Sequence, residues 1–335
     1  MKNKLIRVVT VCGLAGLVPW IRLLAGEDPR EQLREIWNTV GIPIAAFIVF
    51  IFLWSSAAAR IQTSLGRLPG PAQVFAQSKV LWTEHIEEKN KERIFYKKQA
   101  QLNSNKLAED SKAEVKIRKY TGKPTYLDQI GTSLLTVFAG FFIASCIAVP
   151  VGIICGLNRT AMTALNPFIQ IFKPVSPLAW LPLVTMVVSA VYTTPNGMFQ
   201  KSFLISAITV SLCSLWPSLI NTSLCVASLD KDYINVSRVL QLGYLTKIFK
   251  VVLPASLPYI FTGLRISLGV GWMVLIASEM LAQNPGLGKF VWDEFQNGSS
   301  DSLARIMVAV FTIGIIGFIL DRMMVFLQKA VSFSR

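Results

Sequence analysis

Arg265 stands well inside an apolar run, about residues 256–282, that closes near Glu279. An ionised side chain at such depth is expensive and is a functional candidate by default, with a salt bridge or a headgroup anchor as the alternative. Lys173 precedes a second unusual stretch, in which Pro174, Pro177 and Pro182 interrupt an uncharged sequence. Prolines there free backbone carbonyls and expose helix ends, and Ser176, Trp180 and Thr185 could line a path beside them. Cations and neutral hydrogen-bond donors along a low-dielectric path suit the passage of an anion. Glu279 has the wrong sign for an anion ligand and reads instead as a gate or a partner contact.

Chemistry of other kinds has little to work with. The five cysteines, Cys12, Cys146, Cys155, Cys213 and Cys225, lie in or beside apolar runs with no CxxC spacing, as small buried hydrophobes do. One histidine, His85, sits in a charged segment, so neither a metal site nor a metal cofactor is expected. No GxxxxGK[ST] loop is present to cradle a nucleotide phosphate. A self-sufficient enzyme is therefore not expected, and energy from ATP would have to enter through a contact.

The elements that position these residues are membrane helices. Hydrophobic residues make up 53% of the chain and charged ones 16%, well below the quarter usual for soluble domains. The formal charge of +14 suits an anionic membrane surface or an anionic cargo; nucleic acid is a poor reading for a chain so largely committed to lipid. Residues 40–59, 129–158, 174–200 and 202–229 carry no charge and are long enough to span a bilayer. Runs at about 256–282 and 303–327 complete six spans, with Asp321 and Arg322 near one end of the last. Val8–Ile21 is shorter and could be a signal peptide, a span or an interfacial helix, the last being preferred, within a basic segment, residues 1–39. Gly263, Gly269 and Gly271, and Gly314 and Gly317, are spaced for close helix approach. The predicted fold is thus all-α, a polytopic helix bundle with its core at residues 129–330.

Loop charge orients it. Arg159 and Lys173, then Lys231, Arg238, Lys247 and Lys250, then Lys329 and Arg335 fall on one side, which the positive-inside rule makes cytoplasmic together with both termini. Residues 60–128 then lie outside as a charged insert. The insert opens with a turn at Leu68–Pro71 and continues as a helix-like stretch, Glu84–Gln101, read as a solvated hairpin or a partly disordered segment, or else as a docking surface.

The loop 228–254 is the most informative segment. Tyr233, Val236, Leu240 and Gly243 share one face of a short amphipathic helix; a second short helix follows, and Pro254 and Pro258 are expected to break the chain before the fifth span. Apolar residues facing the cytoplasm need something to bury them. The segment resembles the EAA loop of type I ABC importer permeases: Asn235-Val236-Ser237, Gln241, Val251 and Leu253-Pro254 keep the family spacing, with Asn in place of Glu and Gln in place of Gly. Pro258–Arg265, the run ending Gly271-Trp272, Ser278-Glu279-Met280 and Pro285-Gly-Leu-Gly288 look like the nitrate/sulfonate/bicarbonate branch. Phe168–Pro182 and Phe290–Ser299 are similar to nitrate permeases.

That resemblance implies a permease homodimer in the cytoplasmic membrane, two cytoplasmic ABC ATPase subunits and an extracytoplasmic anion-binding protein. Nitrate or nitrite is the implied cargo, with bicarbonate or a sulfonate as alternatives. The coupling residues it implies are Tyr233, Val236, Ser237, Arg238, Leu240, Gln241, Leu253 and Pro254. An ion-coupled carrier is the rival from another class; such carriers usually bury carboxylates or histidines for proton relay, and these spans hold almost none.

Overall fold

The computed structural model describes residues 18–24, 28–63, 66–109, 115, 118–192, 199–299 and 301–333. Most of Val8–Ile21 lies outside them; a short helix, α1 (Val18–Leu24), begins within it. α2 (Pro29–Ile36) runs through a π-helical stretch, Trp37–Gly41, into α3 (Ile42–Arg60), so the first span is one helix of 32 residues. A two-stranded hairpin, β1 (Gln62–Thr63) and β2 (Gly66–Arg67), turns the chain into α4 (Pro71–Glu109).

Four further long helices, a bent helix pair and their connectors form the bundle. α5 (Tyr126–Leu157) leads to α6 (Arg159–Phe172) and α7 (Pro177–Val191). α8 (Lys201–Ala227) precedes the loop helices α9 (Lys231–Val239) and α10 (Tyr244–Lys247). α11 (Leu253–Ala282), α12 (Leu287–Asn297) and α13 (Ser302–Phe333) complete the chain. Among the described residues five helices are long and apolar enough to cross a membrane, and α6 with α7 makes a sixth if that pair is one broken span. The expected all-α, multi-pass architecture is the one observed.

Two expectations about breaks are corrected. The uncharged run 174–200 is not one straight span: α7 covers Pro177–Val191 only, and it meets α6 at a bend of 100°. Pro174 and Pro177 cannot donate the hydrogen bonds that would carry the helix through, and Ser176 caps the new helix by accepting the Leu178 N–H at 3.3 Å. Conversely, Pro254 and Pro258 do not stop the chain. Helix is continuous from Tyr244 to Ala282, because a π-turn at Ile248–Val252 absorbs the donor that Pro254 lacks.

The core lies where α5, α8 and α11 touch. Gly140 and Gly152 let α5 lie against α8: a Cβ on Gly140 would stand 2.6 Å from the Ala207 carbonyl, and one on Gly152 2.7 Å from Thr222 Cβ. Gly140, Ala144, Ala148, Gly152 and Gly156 recur every fourth residue, a small-residue seam that lets two backbones approach without a driving hydrophobic effect. Of the glycines expected at helix contacts, Gly263, Gly271 and Gly317 pack on Asn221, Ser214 and Trp272, whereas Gly269 and Gly314 face open space. Trp272 Nε1 donates to the Ile313 carbonyl at 3.0 Å and ties α11 to α13. By contrast α3 is peripheral, touching the bundle through Trp54, whose ring centroid is 5.0 Å from that of Phe311.

Residues 71–109 of the insert form no hairpin. α4 is a single 39-residue helix, about 58 Å long at 1.5 Å per residue. Its middle is fastened to the bundle: Glu84 pairs with Arg305, His85 Nδ1 lies 2.6 Å from Thr125 Oγ1, and Lys89 Nζ lies 3.3 Å from Asp128. The Tyr120 hydroxyl donates to Glu88 at 2.8 Å. That bond and Lys91 hold the Glu88 carboxyl below the usual range, and Glu92 and Asp128 hold the Lys89 ammonium above its own.

Candidate functional site

The bundle has two ends that differ in chemistry. At one, Ile153 of α5, Val226 of α8 and Val252 form a buried cluster with Leu229, Ile248 and Leu253 packed against it. This cluster seats the 228–254 loop firmly on the spans. The loop then turns a row of apolar side chains to the outside: Val236, Val239 (82% exposed), Leu240, Tyr244, Leu245 and Phe249. Ser237 points the other way and is buried, and Leu253 and Pro254 are half-buried at the root of α11. The side chains of Tyr233 and Arg238 lie outside the described part of the structure. The loop is thus packed on the spans at its root and apolar on its uncovered face.

The turn between the two loop helices shows why Gln241 matters. Its backbone is left-handed, with φ at 47°, and the Leu242 N–H reaches back to the Ser237 carbonyl at 3.0 Å. This is the helix ending in which glycine usually occupies the left-handed position.

At the other end a buried carboxylate organises the structure. Glu279 is fully buried. Its oxygens accept from the Ser133 hydroxyl at 2.8 and 2.9 Å, from the Gly288 N–H at 3.0 Å and from the Asn284 amide at 3.5 Å. Ser133 in turn accepts the Leu287 N–H at 2.8 Å, and Asn284 donates to Thr136 at 3.2 Å. Among the described residues only neutral donors bond this carboxylate, and together they pin the 283–288 turn to α5 and α11. Nearby, Glu294 accepts from Ser302 at 2.8 Å and from Arg305 at 3.2 Å, and Arg305 reaches on to Glu84. α4, α12 and α13 therefore meet on one guanidinium.

The remaining candidates do not converge within one chain. Lys173 and Ser176 are exposed at the α6–α7 bend, where the half-buried Trp180 ring lies 5.7 Å from Phe172 and Thr185 is half-buried one turn farther along α7. Arg265 is not a free cation: its Nε and Nη2 bond both oxygens of Asp321 on α13, the second at 3.0 Å. It sits 14 residues from Glu279 on the same helix, about 21 Å away.

Residues 148–333 match the family described as the inner membrane component of binding-protein-dependent transport systems. The chain belongs to this family. The bicarbonate transport system permease protein CmpB of Synechococcus elongatus is 33% identical over 300 residues, covering 89% of this permease and 92% of its relative. The nitrate import permease protein NrtB of the same species is 34% identical over 204 residues, covering 61% and 69%. NrtB of Synechocystis sp. is 36% identical over 203 residues, again covering 61% and 69%. Among solved structures, a chain of the MetNI methionine ABC transporter in an inward-facing conformation aligns with a TM-score of 0.52 at 16% identity, covering 62% of this permease and 95% of that chain. That likeness bears on the fold alone.

In this permease the motif glycine of the EAA pattern corresponds to Gln241, and the left-handed backbone there supplies the physical reason for glycine. A side chain in that conformation costs about 1 kcal/mol. Gln241→Gly is expected to stabilise the loop by that amount and leave transport intact, checked by slower amide exchange across 231–243; faster exchange would contradict it. Sequence reasoning missed Val239, Tyr244, Leu245 and Phe249 on the apolar face, which single-helix periodicity does not reveal because they lie on both sides of the turn. It also missed Ser133, since a hydroxyl 146 residues from its carboxylate leaves no local pattern, and Asn284, which lies 5 residues on, past the end of the helix that carries Glu279.

Proposed function

We propose that this permease is the membrane subunit of an ATP-driven importer of a small oxyanion, with nitrate (or nitrite) as its cargo. Two copies form one pathway in the cytoplasmic membrane, ATPase subunits seat on the 228–254 loop, and a binding protein delivers the anion at the Glu279 end. The observation that carries this reading is the exposed apolar face of Val236, Val239, Leu240, Tyr244, Leu245 and Phe249 on a loop rooted in the spans. The excess of Lys and Arg in that loop and near Arg159, Lys173 and Lys329 supports a cytoplasmic location with both termini inside. Tyr233, Ser237, Arg238, Gln241, Leu253 and Pro254 shape or support the docking face. Lys173, Ser176, Trp180 and Thr185 flank the pathway at the bend; Arg265 and Glu279 hold its walls.

Bicarbonate is the second reading, supported by the CmpB likeness extending over 300 residues where the NrtB likeness spans 204. Proteoliposomes containing the permease, its cognate ATPase subunits and its binding protein distinguish the two. Labelled nitrate is expected to accumulate only with ATP and to stimulate its hydrolysis. Stimulation by bicarbonate alone would favour the second reading, and accumulation without nucleotide would overturn both.

A further inference from the structure

The opening turns of α4 lie beside the spans, not beyond their ends. Val74 and Leu81 are buried against the bundle, and Gly70 and Ala72 border the same hollow as Ile51 and Ala58 of α3. Outward these turns present Phe75, Val80 and Trp82, all exposed. A helix that shows aromatic and aliphatic side chains at this depth is facing hydrocarbon and headgroups, where tryptophan is favoured.

Between α4, α5 and α13 runs a groove of about 400 Å³. Trp82, Leu127, Ile130 and Val308 give it apolar walls, and Lys79 and Tyr126 border it too. The Lys79 ammonium lies 4.8 Å from the centroid of the Phe75 ring. Tyr126 is 8% exposed, and its phenol oxygen makes no well-formed hydrogen bond among the described residues, the Thr312 hydroxyl beside it being a weak partner. The neighbouring Thr312 hydroxyl donates to the Val308 carbonyl at 2.9 Å. A poorly paired buried donor is costly, and hydrocarbon brings no water to satisfy it.

From this arrangement we infer that the groove is a binding site for one phospholipid with an anionic headgroup. An acyl chain lies along Trp82, Leu127, Ile130 and Val308. The phosphate meets the Lys79 ammonium, which reaches the headgroup level on its flexible stem. The Tyr126 phenol donates to an ester oxygen of the glycerol backbone. A free phosphate would find one cation and an apolar slot, so the acyl chain is what holds the ligand. The inference needs only that α3, α5 and α13 cross the bilayer, and it stands or falls independently of the transported anion.

The test uses the full-length permease extracted with its native partners, stripped of lipid and exposed to phosphatidylglycerol or phosphatidylcholine of matched chains. Bound lipid is counted by native mass spectrometry. One lysine at the membrane surface corresponds to about a fivefold preference for the anionic lipid, and that preference is expected in the wild type. Lys79→Gln, at an exposed position that folding does not depend on, brings the ratio close to one. Ser78→Phe, which fills the groove from its half-buried rim, lowers retention of both lipids. Glycerol phosphate in excess leaves the bound lipid in place. Equal retention of the two lipids by the wild type, an unchanged ratio in Lys79→Gln, undiminished binding in Ser78→Phe or displacement by glycerol phosphate would each overturn the assignment.

Discussion

Replacing Val239 and Leu240 together by aspartate is expected to abolish nucleotide-driven uptake while leaving the permease folded in the membrane. Both side chains are largely exposed in the isolated chain, Val239 at 82% and Leu240 at 63%, so polar replacements cost the fold little. If the loop seats in a groove of an ATPase, each buried side chain contributes about 1.5–3 kcal/mol to that contact, and placing carboxylates there adds an unpaired-charge penalty. A combined loss near 4 kcal/mol weakens association roughly a thousandfold. The readouts are co-purification of the ATPase and anion-stimulated hydrolysis in proteoliposomes. A double variant that retains coupling within twofold of wild type would remove the docking assignment. Leu245→Asp on the second loop helix extends the test across the turn, because a surface built from both helices loses affinity whichever one is altered.

The second large effect belongs to Glu279. Glu279→Ala removes the acceptor for the Ser133 hydroxyl, the Gly288 N–H and the Asn284 amide in a site with no solvent access. Each unsatisfied buried donor costs about 1–3 kcal/mol, so a loss of roughly 3 kcal/mol is expected after relaxation, concentrated in the 283–297 segment. Thermal unfolding in detergent should fall accordingly, with amide exchange at Leu287 and Gly288 rising before that of the spans. Glu279→Gln keeps one acceptor oxygen and is expected to lose less than half as much. If Ala and Gln variants unfold alike, the carboxylate acts as a charge and the hydrogen-bond account of the turn is wrong.

The contrast between Arg265 and Glu279 shows what a linear reading reaches. Both were visible as charges in apolar runs, and intramembrane charge is a reliable flag. Their roles depended on partners far along the chain: Asp321, 56 residues away, for Arg265, and Ser133, 146 residues away, for Glu279. The same limit applied to α4. Its Glu and Lys pairs announced a helix, but its attachment rests on Glu84 meeting Arg305, 221 residues distant. Prolines were legible as punctuation and ambiguous in effect, since Pro174 and Pro177 accompany a 100° bend while Pro254 is absorbed in a π-turn.

Local composition was enough to establish the helical, membrane-embedded class, the approximate spans and the place of the loop that carries the family pattern. Each of these follows from properties of contiguous residues: the run of apolar side chains that hydrocarbon requires, and a motif with fixed spacing. Only the folded chain decided which charges are paired, that α4 is bound to the bundle, and which side chains of the 228–254 loop remain uncovered. Pairing and exposure are set by packing between segments remote in sequence, and no window along a single strand of residues contains that information.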